Sequence, residues 1–295
     1  MDWNAKRLAQ YVRLRARVKY NGLCREARVG YARFAYWMPV RDPDFLSIGA
    51  PRAASTWLYK RLSLHPDVCL PKRKEIHFFD VQDGREAYVY GPDVRKPMFK
   101  PLDLDNPAHW RWYRSYFGRC NSNKLTGDFT PDYSLLDVDR IRDVKAHLPN
   151  LKLIYTMRNP VTRAWSSVRK ELWWRFRMYP HEVNVDTLVR MAMRPGVLVR
   201  GDYASVIARW ETFYKDQILY LFFDDILEHP QEVLHRVCNF LGLDPSPFDA
   251  LGGHSVRVND VPEESIPGEV RDALEIYYAA QAGFLAEKFG RSFAR

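Results

Sequence analysis

A cation, two small residues and two hydroxyls stand in a row at Arg52-Ala53-Ala54-Ser55-Thr56, directly after Gly49-Ala50-Pro51. At the start of a helix this grouping makes an anion cradle. The free N–H groups of the first turn converge on one spot, and the helix dipole favours negative charge there. The plain alternative is a strand–turn–helix joint with Ser55 or Thr56 as N-cap. The loop is not that of the nucleotide kinases, because G-x-x-x-x-G-K-[ST] is absent. Ala54 stands where glycine is expected, which requires φ below zero at that position. Farther on, alternation in an extended Lys74–Asp80 places Glu75 and His77 on one side and Ile76 and Phe78 on the other. Glu75 also has Lys72 and Lys74 as potential surface partners.

The elements that must position these groups follow from periodicity. Phe45, Leu46 and Ile48 form a short buried strand, and Trp57, Leu58, Leu62 and Leu64 recur at helical spacing behind the loop. The aromatic faces of the cluster from Trp110 to Phe117 suit stacking on sugar rings, but Trp110, Tyr113 and Phe117 also lie at i, i+3 and i+7, which favours the core face of a short helix. Leu125 to Pro131 reads as a strand running into a turn. A helix follows from Asp137, its cap, to Leu148, and then a buried strand from Leu151 to Met157. Arg158-Asn159-Pro160 ends that strand and opens a helix, proline being well tolerated in a first turn. Arg163, Ser166 and Lys170 fall on or near one face of it, and the aromatic run Glu171 to Tyr179 continues it. Asp202 caps the next helix, Ile218 to Phe223 is a strand, and helices close the chain at Pro230–Leu241 and Gly268–Phe289, after a loop over 251–267. Strands alternating with helices imply an α/β fold with a mainly parallel sheet covered on both faces. Binding belongs at the carboxyl ends of its strands.

Three blocks resemble the sulfotransferases that use 3′-phosphoadenosine 5′-phosphosulfate (PAPS). Pro51-Arg52-Ala53-Ala54-Ser55-Thr56-Trp57 is similar to their P-K-x-G-T-T/S-W loop, and Lys74-Glu75-Ile76-His77-Phe78-Phe79-Asp80 to the K-E-x-H-F-F-D stretch of the carbohydrate (heparan-sulfate-like) branch. Arg158-Asn159-Pro160 with Arg163 and Ser166 resembles R-[DN]-P-x-x-R-x-x-S. The resemblance implies a P-loop-like fold over 43–295, with Arg52 to Trp57 on the 5′-phosphosulfate and Arg158 and Ser166 on the 3′-phosphate. Trp57 is then open to two uses, stacking on adenine or anchoring its helix. Glu75 is the expected general base, with Asp128 in reserve. His77 either orients Glu75 or binds the acceptor, as does Asp80; Asp128 also faces the acceptor, and the aromatic run with Trp173 is open to two uses, gripping the acceptor or forming a plain hydrophobic cap. The acceptor is a hydroxyl of a carbohydrate, glycolipid or related metabolite, and the nucleotide product is adenosine 3′,5′-bisphosphate. The family's lysine is replaced by Arg52, and a lysine that some carbohydrate sulfotransferases carry is replaced by Phe129. A kinase of the P-loop class and a non-catalytic membrane-surface adaptor are the competing readings.

Composition narrows the setting. Of the net charge of +9, seven fall in residues 1–42, which hold ten Lys/Arg against three Asp/Glu. This basic helical arm is expected either to lie on an anionic membrane surface or to pack on the domain. No nucleic-acid motif accompanies its charge. No window reaches the ~18–20 apolar residues of a membrane span. The four cysteines, Cys24, Cys69, Cys120 and Cys238, show no ligand spacing and read as reduced thiols. Hence no metal is expected, and a cytoplasmic setting, with membrane contact at most at the inner surface.

Overall fold

Phe45–Gly49 (β1) is apolar and buried throughout, as a central parallel strand requires. The computed structural model describes residues 39–80, 103–249 and 263–291. The expected basic arm therefore lies almost wholly outside the described residues, as does most of the loop expected over 251–267. After β1 the chain runs through helix α1 (Ser55–Leu62), helix α2 (Pro107–Arg114), strand β2 (Gly127–Phe129), helix α3 (Val138–His147) and strand β3 (Lys152–Met157). Helices α4 (Pro160–Glu171), α5 (Val185–Ala192), α6 (Pro195–Leu198) and α7 (Tyr203–Tyr214) lead to strand β4 (Ile218–Phe222). Helices α8 (Phe223–Glu228), α9 (Pro230–Leu241) and α10 (Gly268–Phe289) follow.

All strand pairings are parallel, in the order β2-β1-β3-β4. Chain order reverses between the neighbours β1 and β3, so the loops leaving their carboxyl ends flank one crevice. Side chains alternate between two cores. Leu153, Tyr155 and Met157 face one with Tyr113, Tyr203 and Trp210, while Ile154 faces the other with Trp57, Leu221 and Val237. This is the α/β architecture, helix on sheet on helix, that the alternation implied.

The expected caps form. Asp137 accepts from the Arg140 amide at 2.7 Å, and Asp202 from that of Ser205 at 3.3 Å. Asn159 accepts from Val161 and Thr162, with Pro160 at the first helical position. At Gly49 the backbone runs so close to the turn that follows β2 that a Cβ would stand 2.9 Å from the Pro131 carbonyl oxygen.

Two expectations change. The aromatic run does not prolong α4 as an α-helix but widens into a π-helical turn, Leu172–Phe176. Cys69 and Cys120 are not separate thiols; they form a disulfide across 51 residues. The β-bridge between Val68 and Leu125 brings the two segments together, although the cysteines lie far apart in sequence. Cys238 is free and buried, and Cys24 lies outside the described residues. Spacing alone therefore misjudged the pair, and the cysteines no longer argue for a reducing compartment.

Candidate functional site

The loop after β1 closes as a left-handed turn. Arg52 has φ 72° and Ala54 φ 65°. This corrects the expectation that alanine would force φ below zero at 54. The turn into α1 demands the left-handed conformation whatever the residue, and alanine adopts it at a cost of about 1–2 kcal/mol. Ala54 itself is the N-cap residue and has no side-chain cap, so neither Ser55 nor Thr56 fills that role. The first-turn amides of α1 thus stay uncapped by side chains, beside the buried Ala53 and Ser55 and the half-buried Thr56. Trp57 is different. It is 1% exposed and packs among Phe45, Leu58 and Phe129, so of its two uses the helix anchor holds and adenine stacking does not.

The two expected phosphate corners meet. Nε of Arg52 donates to Oγ of Ser166 at 3.0 Å, and Nη1 of Arg158 reaches the Arg52 carbonyl at 3.5 Å. Arg158 is held by Thr162 through Nε at 3.0 Å and lies 4.2 Å over the Phe223 ring. The Tyr203 hydroxyl donates to its carbonyl at 2.7 Å. Arg163 is fully buried and donates to Ser167, the Val197 carbonyl and the Tyr278 hydroxyl, all neutral. Among the described residues none of Arg52, Arg158 and Arg163 contacts a carboxylate. Burial, then the neighbouring Arg158, Arg169 and Arg163, pushes Arg52 down to about 10. Burial and Arg169 do the same to Arg158. Both stay charged at neutral pH. A crowd of guanidiniums that repel one another, with the side-chain-uncapped start of α1 just beyond Arg52, is an environment that one or two phosphate-type anions would relieve.

The segment with the candidate base lies against the end of β2. The Glu75 amide donates to the Phe129 carbonyl, the Ile76 amide to Thr130 Oγ1 and the Phe78 amide to the Tyr133 hydroxyl, each at 3.0 Å. Ile76 and Phe78 are buried while Glu75 and His77 are not, so the expected sides are right. The backbone is not extended, however: Glu75 has φ 63° and His77 φ 55°. Four of the five non-glycine residues with positive φ, among those described, therefore sit in these two segments, the kind of strain that gathers at working sites. The Glu75 carboxylate accepts from Lys74 Nζ at 2.8 Å and its side chain is 48% exposed, so the surface pairing is present. Burial alone would raise its pKa, but Lys74, His77 and Lys170 hold it below the usual carboxylate value. Its charge is also felt at Arg52, which links it to the donor corner.

His77 Nδ1 lies 2.6 Å from Asp80 Oδ2. Against the opposing effect of burial, Asp80, Asp132 and Glu75 raise the imidazole to about 9. At neutral pH it is an imidazolium. Asp132, which the sequence reading passed over, is paired with Arg200 at 2.8 Å, and its ligand atom lies within 4.8 Å of those of His77 and Asp80. This corrects the expectation that no ligand cluster would form, though the His77–Asp80 hydrogen bond engages two of the three donors.

Asp128 is not at the surface of the site. It is 1% exposed and accepts from Thr130 at 2.7 Å, Tyr133 at 2.7 Å and Tyr113 at 3.3 Å. Burial raises it to about 6, yet it reaches no acceptor; it holds the end of β2 instead. Trp173 is half-buried against Tyr179, with Arg177 over its ring at 5.4 Å, while its neighbour Trp174 is 59% exposed. Arg169, three residues beyond Ser166 on α4, belongs to the cation cluster, and that helical spacing is the signal that points to it. Asp132 sits in a 3₁₀ turn, Pro131–Leu135, where no periodicity singles it out.

Known proteins resemble this chain in sequence and in fold. The sulfotransferase family profile matches residues 43–247. Human heparan sulfate glucosamine 3-O-sulfotransferase 6 is 28% identical over 211 residues, covering 69% of this chain and 53% of the relative. A bifunctional heparan sulfate N-deacetylase/N-sulfotransferase 1 of Caenorhabditis briggsae is 25% identical over 233 residues, 70% of this chain and 23% of its own length. The chain thus spans about half, or less, of the length of these relatives. In fold, a sulfotransferase from Alicyclobacillus acidocaldarius superposes with a TM-score of 0.62 at 22% identity, over 86% of this chain and 98% of that one. One from Mycobacterium avium does so at 0.57 and 14%, over 95% and 86%. The matched span runs from the strand before Arg52 past the helix that carries Ser166, and with it this chain belongs to the sulfotransferase family.

Proposed function

We propose that the protein transfers the sulfuryl group of PAPS to a hydroxyl of a carbohydrate, glycolipid or related metabolite. The single observation that carries the reading is the meeting of the two anion corners through Arg52 and Ser166. A donor with phosphate groups at both ends of one nucleoside needs two such corners within one crevice. Residues 52–56 suit the 5′-phosphosulfate, and Arg158 and Ser166 the 3′-phosphate.

Glu75 takes the proton of the acceptor hydroxyl as its oxygen attacks sulfur in line. The bond from sulfur to the bridging phosphate oxygen breaks, and that oxygen keeps the electron pair. Arg52 neutralises the charge that gathers there. Glu75 must exchange its contact with Lys74 for the acceptor hydroxyl. The imidazolium of His77, fixed by Asp80, keeps the neighbouring carboxylate ionised rather than shuttling a proton. The heparan sulfate enzymes among the relatives support a sugar acceptor. Residues 1–42 remain a candidate membrane-surface arm; among the described residues no helix is long and apolar enough to cross a membrane.

Titration with adenosine 3′,5′-bisphosphate tests the reading. The chain should bind it, and Arg158→Ala should weaken binding at least tenfold. Absence of binding, or transfer of label from ATP in place of PAPS, would reject it.

A further inference from the structure

Lys170 is the residue in this site whose job is least explained. It lies four positions after Ser166 on α4, and i and i+4 side chains stand on one face about 6 Å apart at Cβ. Because Ser166 Oγ receives the Arg52 hydrogen bond, that face is turned toward the crevice between the two corners. The electrostatic neighbours of Lys170 are Arg52, Glu75, Asp132 and Lys74, drawn from the donor loop, the base segment and the turn after β2. Its side chain is exposed, yet desolvation by the surrounding protein, followed by Arg52, lowers its pKa, the condition of a cation in the mouth of a cleft.

Two carboxylates lie in that neighbourhood, and each has another partner. Glu75 is bound to Lys74 and Asp132 to Arg200. Among the described residues the Lys170 ammonium makes no hydrogen bond or ion pair. The strand end opposite offers no cation of its own, since Phe129 is buried in the core between Phe45 and Tyr59. A lysine on the helix face that carries Ser166, with the loop's cation and the candidate base among its electrostatic neighbours and bonded to neither carboxylate, is free to meet an anion arriving in the crevice.

We infer that Lys170 is a further catalytic residue, its ammonium contacting the non-bridging oxygens of the sulfuryl group between Arg52 and Glu75. This rests on the donor reading above. The sulfuryl group is the part of the donor that the nucleotide product lacks. A contact to it therefore separates the affinities for the two nucleotides without any acceptor being known.

The test titrates PAPS and adenosine 3′,5′-bisphosphate separately into the full chain and into its Lys170→Ala and Lys170→Arg variants, with melting temperatures to verify folding. Loss of a charge-assisted hydrogen bond should weaken PAPS about tenfold or more in Lys170→Ala. Adenosine 3′,5′-bisphosphate should stay within about twofold, and Lys170→Arg should recover part of the loss. A Lys170→Ala variant that binds PAPS as the parent does, or that loses both nucleotides alike, overturns the assignment; the first result places the ammonium on the acceptor side, the second in a structural role. If the parent chain binds neither nucleotide, the donor reading itself fails and takes this inference with it.

Discussion

Arg52 and Ser166 are 114 residues apart in the chain, and the guanidinium Nε of one donates to the hydroxyl of the other at 3.0 Å. The contact follows from topology. β1 and β3 are hydrogen-bonded neighbours, so the turn leaving β1 and the first turns of the helix leaving β3 must pack against each other. A change at either residue should therefore be felt at both ends of the donor. Ser166→Ala should weaken binding of adenosine 3′,5′-bisphosphate and also slow turnover of PAPS, by freeing Arg52. A loss confined to binding, with turnover at saturating PAPS unchanged, would show that the contact does not position Arg52.

Glu75 is held below the ordinary carboxylate range, so it remains ionised across neutral pH. As the general base it works in that form, and activity should fall only as pH drops through its lowered pKa, below the ordinary carboxylate range. Lys74 makes the closest contact that lowers it. Lys74→Ala should move this acid limb upward, and Glu75→Gln should cut kcat by about 10²- to 10⁴-fold with nucleotide binding intact. Rate profiles against pH check both, and a limb that stays put in Lys74→Ala counts against Glu75.

The His77–Asp80 pair should show in stability. The imidazole is raised from 6.5 to about 9 in the folded protein. Its stabilising contribution is thus complete below pH 6.5, declines between the two values and is gone once pH passes about 9. Melting curves of the parent and His77→Gln should differ most in acid and converge in alkali. A difference that grows with pH would contradict the charged pair.

Ala54 carries strain that glycine would release. At φ 65° the methyl group has no conformational advantage, and Ala54→Gly should stabilise by about 1 kcal/mol, raising Tm by about 2–4 °C. Calorimetry decides. A fall in Tm would mean that the entropy cost of glycine exceeds the relief.

The parts legible in the sequence were those that rest on local chemistry. Asp137 and Asp202 announced their helices because a carboxylate can cap only where amides are unpaired. The alternation that set Glu75 and His77 against Ile76 and Phe78 held as well, although the backbone reaches it by positive φ at every second residue. What stayed hidden was non-local. Asp128 looks like any strand-end carboxylate until Tyr113, Thr130 and Tyr133 close over it, and Trp57 shows its inward direction only when Phe129 packs beside it. The sign of φ at Ala54 was missed for a similar reason, since the turn's path is set by where β1 ends and α1 must begin.

The Cys69–Cys120 bond turns residues 69–120 into a closed ring, and Glu75, His77 and Asp80 are part of its circumference. One cut in the polypeptide anywhere on that ring leaves the two fragments joined. A protease-treated sample would migrate as a single band without reductant and split once thiol is added, and the segment bearing the base would remain leashed to the sheet after its main chain had been severed.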